Sequence, residues 1–232
     1  MPKKKSKSPF RPAVFQFLGE LALNNEREWF EENKDRYERE VREPALELIR
    51  AMAPYVRNVS KSLLAVDRKV GGSLMRVHRD VRFSRDKSPY KTNVGIQFRH
   101  RAGKDVHAPG LYVHIEPDEV FLGAGMWHPS APALAAIRKA IVGKPAAWKK
   151  VRDDEVFRKR WSLTGDSLKR PPQGFDKDHP YIEDLKRKDH IAIVNLNPGV
   201  VARAGFVEQL AERFLEAKAY MRFLAKSQDL DF

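Results

Sequence analysis

Apolar positions follow a helical period toward the two ends of the chain and a period of two through its middle. Behind Pro12, a residue suited to a first helical turn, Val14, Phe17, Leu18 and Leu21 fall on one side of a helix. Asn24 and Asn25 can end that helix, and Asn25 with Glu28 can open the next as a capping-box variant. The second helix, EREWFEENKDRYEREV, gathers Trp29, Phe30, Asn33, Tyr37 and Val41 on one face. Pro44 restarts or kinks the run, which continues with Leu46, Ile49 and Met52.

From about residue 63 the spacing reads as strands over Leu63–Asp67, Leu74–Val81 and Asn93–His100, the last carrying Val94, Ile96 and Phe98 in alternation. GLYVHIEPDEVFLGAG reads as a hairpin, with Leu111, Val113 and Ile115 leading into a Pro117-Asp118 turn and Val120 and Leu122 returning. Ser130 caps a helix to about Ile141, and another covers Pro145–Arg160. A Gly/Pro-rich loop spans Leu168–Pro180, and His190–Leu196 is a short apolar strand central in a sheet. A last amphipathic helix, about Pro198–Ala225, carries Phe206, Leu210, Phe214 and Leu224. Helices at both ends around a mainly antiparallel or mixed sheet make this an α+β chain: a flexible Lys-rich tail over residues 1–8, then a single domain over 9–230.

Composition sharpens that picture. No apolar run approaches the ~18 residues that a membrane helix needs, and no apolar stretch follows the N-terminal lysines as a signal peptide would require. The absence of cysteine excludes disulfides, a thiol nucleophile and Cys-based zinc sites, so the cytoplasm is the expected compartment. The net charge of +13 is unevenly spread: the tail holds +4 and residues 61–105 hold +8, leaving +1 for the rest. A basic excess confined to one stretch points either to a solvated face or to an anion site for phosphate, nucleotide or nucleic-acid backbone.

The chemistry concentrates in MRVHRDVRFSRDKSPYKTN. Strand alternation puts Met75, Val77, Arg79, Val81 and Phe83 on one side, and Arg76, His78, Asp80 and Arg82 on the other. Arg79 is the odd member of an apolar face, so it is either a structural ion pair or part of a lined pocket. The turn SRDKSPYKT would gather Arg82, Lys87, Tyr90 and Lys91 around one loop as a phosphate or carboxylate cradle. The competing reading is that Asp80 and Asp86 neutralise Arg79, Arg82 and Arg85 to brace a charged hairpin.

The string RDVRFSRDKSPYKTN, with NNEREWFEENKDRYE before it and GLYVHIEPDEVFLGAGMW and LKRPPQGFDKDHPYIEDLKRK after it, resembles the domain-of-unknown-function 2461 family. The resemblance covers about residues 9–226. It implies an α+β fold and brings with it no substrate, cofactor or site residue.

Other features are less specific. The seven histidines, His107 among them, show no metal-site pattern, although His114 beside Glu116 is a candidate general base, as Asp80 is a candidate acid or base. GAGMW (Gly123–Trp127) lacks the helix start that a dinucleotide loop requires and reads as a pocket wall with Trp127 as a stacking surface. In the loop KRPPQGFDKDHP, Lys169, Arg170 and His179 could lie over an anionic ligand as a lid. The expectation is a small phosphorylated or carboxylated ligand held by Arg79, Arg82, Lys87, Tyr90, Lys91, Trp127 and Arg170, with no cofactor, no metal and no membrane partner. A nucleic-acid partner on the same basic surface and a non-catalytic structural or interaction role are the rivals.

Overall fold

The computed structural model describes residues 5–68, 70–82, 84–103 and 108–232. The first half of the Lys-rich tail, Phe83 and His107 lie outside the described residues. From the tail, Ser6 binds both Glu208 carboxylate oxygens through its N–H and hydroxyl, and Ser8 donates to the Val201 carbonyl.

Helix α1 (Ala13–Leu23) buries Val14, Phe17, Leu18 and Leu21. The second predicted helix is segmented into α2 (Arg27–Glu32), α3 (Lys34–Tyr37) and a π-helical turn over Glu38–Arg42. The run then continues as α4 (Glu43–Val59), with Pro44 directly after the π-helical turn. Asn25 does not cap α2. Its side chain instead exchanges two 3.0 Å hydrogen bonds with the backbone N–H and C=O of Tyr90, tying the α1–α2 turn to the basic segment.

The period-two region delivers β1 (Val94–Arg99), β2 (Gly110–Ile115) and β3 (Val120–Met126). After α5 (Ala131–Gly143), capped by Ser130, the predicted single helix breaks into α6 (Pro145–Arg152) and α7 (Glu155–Arg160). The break falls where the Asp154 carboxylate caps the Phe157 N–H at 2.9 Å. A short β4 (Ser162–Thr164), α8 (Ile182–Lys186) and β5 (His190–Leu196) follow. A left-handed turn at Gly205 (φ 91°) delays the C-terminal helix to Phe206, and it is divided at Ala217 into α9 (Phe206–Glu216) and α10 (Lys218–Ser227).

All five strands of the sheet run antiparallel in the order β1-β2-β3-β5-β4, so β5 is internal as its apolar run predicts. Leu63–Asp67 and Leu74–Val81 are not full strands: Leu63 bridges His100, Leu74 bridges Ile96 and His78 bridges Tyr90, each singly. Backbone bonds from Met75 N to Gly95 O and from Gln97 N to Ser73 O lay the 73–75 segment along the outer edge of β1. That covers an edge that would otherwise expose a row of unpaired groups. Among the described residues no helix is long and apolar enough to cross a membrane.

Alternation splits the sheet into two unlike faces. Ile96, Phe98, Leu111, Val113, Leu122 and Ala192 are buried on one side, where α4, α9 and α10 pack. Gln97, Tyr112, His114, Phe121, Ile191 and Ile193 point the other way and are only partly covered. The site lies on that second face.

Candidate functional site

The open face is hollow because strand positions that would fill it are glycines. A Cβ on Gly95 would lie 2.9 Å from the Tyr112 hydroxyl and 3.0 Å from Met75 Sδ, while at Gly125 (φ 135°) it would meet the His190 carbonyl at 2.0 Å. Gly110, Gly123 and Gly125 line a cavity of about 450 Å³, and Gly95 lets Tyr112 and Met75 pack closely beside it. Tyr112, Phe121, Ile191 and Ile193 form its apolar wall, and Met75, Lys91, Asn93 and Trp127 line it from outside the sheet or at its end. Trp127 stands against His128, whose φ of 46° is held by the buried Asp189 carboxylate, 2.7 Å from the His128 N–H.

A polar chain runs along one end of the hollow. His114 Nδ1 is 3.3 Å from the Tyr112 hydroxyl and 3.4 Å from Asn93 Nδ2, and His114 Nε2 is 3.3 Å from Glu116 Oε2. With Asn93 Nδ2 donating to Nδ1, the neutral ring carries its proton on Nε2 and donates to Glu116. Thr92 in turn donates to the other Glu116 oxygen at 2.7 Å. Burial, reinforced by the Glu116 carboxylate, pushes the Tyr112 phenol up to about 12, so its hydroxyl stays a donor at neutral pH. With both ring nitrogens engaged, His114 is better placed to orient a ligand than to remove a proton from one.

Lys91 is the cation at this hollow. It is half-buried, and among the described residues no carboxylate lies within ion-pairing distance of its ammonium. Burial, and after it the Arg76 guanidinium, lowers its pKa.

The other sequence-designated residues fall elsewhere. Arg79 pairs with Asp86, which also accepts from the Ser88 N–H and hydroxyl. Arg82 grips Asp80 through two bonds of 2.9 and 2.7 Å, and Lys87 donates to the Val81 carbonyl. Held by Arg82, the Asp80 carboxyl sits at about 2, far from what an acid catalyst needs at neutral pH. Tyr90 is 3% exposed and stacks on Phe30 with centroids 4.0 Å apart. Tyr90 and Arg79 border a separate recess with Arg27, Glu31 and His78. Arg170 is exposed on its loop and does not line the sheet cavity. Of the designated residues the cavity thus brings together Lys91, Trp127 and His114.

Sequence reasoning missed Tyr112, Gln97 and Phe121, which line the same hollow. Their signal was the two-residue period itself: Tyr112, His114 and Glu116 alternate with the core positions of β2, as Phe121, Gly123 and Gly125 do on β3. Among curated proteins none matches the sequence. The profile of the family described as conserved hypothetical protein (DUF2461) matches residues 13–223, from the start of α1 into α10. That span takes in the whole sheet, its packed helices and every residue lining the hollow, and the chain belongs to the DUF2461 family.

Proposed function

We propose that the protein binds a small organic anion, a carboxylate or phosphate on a flat apolar body, in the hollow on the open face of the sheet. The observation that carries this is Lys91: a half-buried ammonium with no carboxylate partner among the described residues, beside a largely aromatic and aliphatic cavity. Desolvating a charge without pairing it costs free energy, and an anionic ligand group offsets that cost on binding. The volume of about 450 Å³ falls within the range of small-molecule sites. Tyr112, Phe121 and Trp127 offer ring faces to the ligand body, while Asn93, Gln97 and the Tyr112 hydroxyl offer a few fixed polar contacts.

The exposed loop supports a different role for Arg79 and Arg82. Their pairing with Asp86 and Asp80, and the Lys87 bond to Val81, fit a brace that sets the register of the loop.

A thermal-shift screen at low salt tests the reading, with inorganic phosphate, aromatic and aliphatic carboxylates, nucleoside monophosphates, short RNA and short duplex DNA as probes. A small organic anion should raise the melting midpoint of the wild type and fail to do so in Lys91→Met. A shift confined to the polymers and abolished by moderate salt would replace this reading with nucleic-acid binding. No shift with any probe, or an equal shift in Lys91→Met, would overturn it.

A further inference from the structure

His114, Glu116 and Glu119 meet at the β2–β3 turn. One ligand-capable atom from each lies within 4.8 Å of the others. The arrangement follows from the hairpin. His114 and Glu116 share a face of β2 at a spacing of two, and the turn closes with reciprocal backbone bonds between Glu116 and Glu119. That brings Glu119 back on the same side.

Three features separate this cluster from an ordinary group of surface acids. First, His114 Nε2 and Glu116 Oε2 stand 3.3 Å apart. Two ligands held about 2.0–2.1 Å from one ion at a tetrahedral angle stand ~3.3 Å apart. Second, groups outside the cluster meet both members: the Tyr112 hydroxyl lies 3.3 Å from His114 Nδ1, and Thr92 donates to the second Glu116 oxygen. Such outer partners orient metal-binding imidazoles and carboxylates. Third, the chain carries 44 Lys and Arg, yet among the described residues none lies within ion-pairing distance of Glu116 or Glu119. Two neighbouring carboxylates without a basic side chain, in a protein of net charge +13, leave a localised negative site for a cation.

We infer that His114 Nε2 and the carboxylates of Glu116 and Glu119 bind one first-row divalent transition-metal ion. One imidazole and two carboxylates suit ions of the manganese-to-zinc series better than Ca²⁺ or Mg²⁺, which favour all-oxygen shells. On binding, the imidazole proton moves from Nε2 to Nδ1, where the Tyr112 oxygen accepts it as the Asn93 amide N–H gives up its bond to Nδ1. Three protein ligands leave at least one coordination position open for water or an anion. This inference does not depend on the Lys91 reading, because the cluster is complete without a ligand in the hollow.

The test is calorimetric titration of the full-length chain with Zn²⁺, and with Co²⁺ to read coordination from its visible absorption. One equivalent should bind, with a Co²⁺ spectrum of a four- or five-coordinate ion. Glu119→Gln and His114→Gln should each weaken binding about tenfold or more, while Asp118→Asn, a neighbouring acid outside the cluster, keeps it. Glu119 is exposed at a turn, so its variant reports on the site without threatening the fold. Absence of Zn²⁺ binding, binding unchanged in Glu119→Gln, or equally tight binding of Mg²⁺ would overturn the assignment.

Discussion

The His114 ring lies flat on Phe121, directly across the β2–β3 pair, with centroids 4.6 Å apart and planes 10° from parallel. Tyr112 meets the same phenyl ring at 5.8 Å, so Phe121 sets the position of both polar rings at the end of the hollow. Replacing Phe121 by Ala removes a half-buried ring and its stacking partner. The expected cost is about 1–2 kcal/mol, less than for a fully buried phenylalanine. Urea denaturation measures it, and Phe121→Tyr, which keeps the stacked ring, should lose much less.

Lys91 is expected to oppose stability while serving binding. Lys91→Met keeps the stem that packs beside Met75 and Asn93 and removes the half-desolvated charge. The variant should be as stable as the wild type or more so, by no more than about 1 kcal/mol once solvent screening is allowed for. Thermal melts without ligand check this. A clear loss of stability would instead mean that the ammonium has a stabilising partner.

Arg82→Ala should leave the melting midpoint essentially where it is, although the side chain makes two hydrogen bonds to Asp80. Arg82 is 75% exposed, and exposed pairs trade one hydrated arrangement for another. Binding in the sheet cavity should also survive, because Arg82 does not line it. Loss of small-anion binding in this variant would return the loop to the site.

These contrasts show what the sequence could carry. Val94, Ile96 and Phe98, or Leu111, Val113 and Ile115, announce their strands because one face of each is buried against helices and the other is not. The same rule over-reads Leu74–Val81. There apolar and charged residues alternate, but among the described residues bridge partners exist only at Ile96 and Tyr90, and no local pattern reports who pairs with whom. Charge density drew attention to Arg79, Arg82 and Lys87, which find partners within their own loop. The hollow takes Lys91 from one segment, Tyr112 and Phe121 from a hairpin, and Ile191 from a strand far along the chain. Only the sheet order brings these together. The alternating glycines Gly123 and Gly125 were its most legible trace.

Asp184 anchors the layer between α6 and α8. Its Oδ2 accepts from the Trp148 indole N–H at 2.8 Å and from Arg152 at 3.1 Å, and both Asp184 and Trp148 are buried. Asp184→Ala strands a buried indole donor and removes one of the two carboxylates that Arg152 holds, while the paired bonds from Arg152 to Asp153 remain. The expected loss is about 1–3 kcal/mol. Asp184→Asn keeps an acceptor for the indole and should lose less. Chemical denaturation of the two variants separates the hydrogen bond from the charge.

His190 gives the fold a definite acid sensitivity. It sits fully buried on the packed face of β5, and among the described residues neither ring nitrogen has a hydrogen-bond partner. Burial, with Arg187 and Arg138 nearby, lowers its pKa from the ordinary 6.5 to about 3. As pH falls through 6.5 the unfolded chain takes up a proton at this histidine, while the folded chain does not until about pH 3. The unfolded state therefore gains on the native one across that window, by up to about 1.4 kcal/mol per pH unit, whereas above pH 6.5 His190 contributes no pH dependence. Carboxylates held low by their partners, such as Asp80 and Asp86 at about 2, titrate toward the bottom of the same range, so wild type must be compared with a variant that lacks only the imidazole. His190→Leu fills similar volume without the unpaired nitrogens, and should be no less stable at pH 7. Denaturant midpoints taken from pH 7 to pH 4 should fall more steeply for the wild type than for His190→Leu. Parallel curves would show that the imidazole is protonated in the folded protein and has a partner after all.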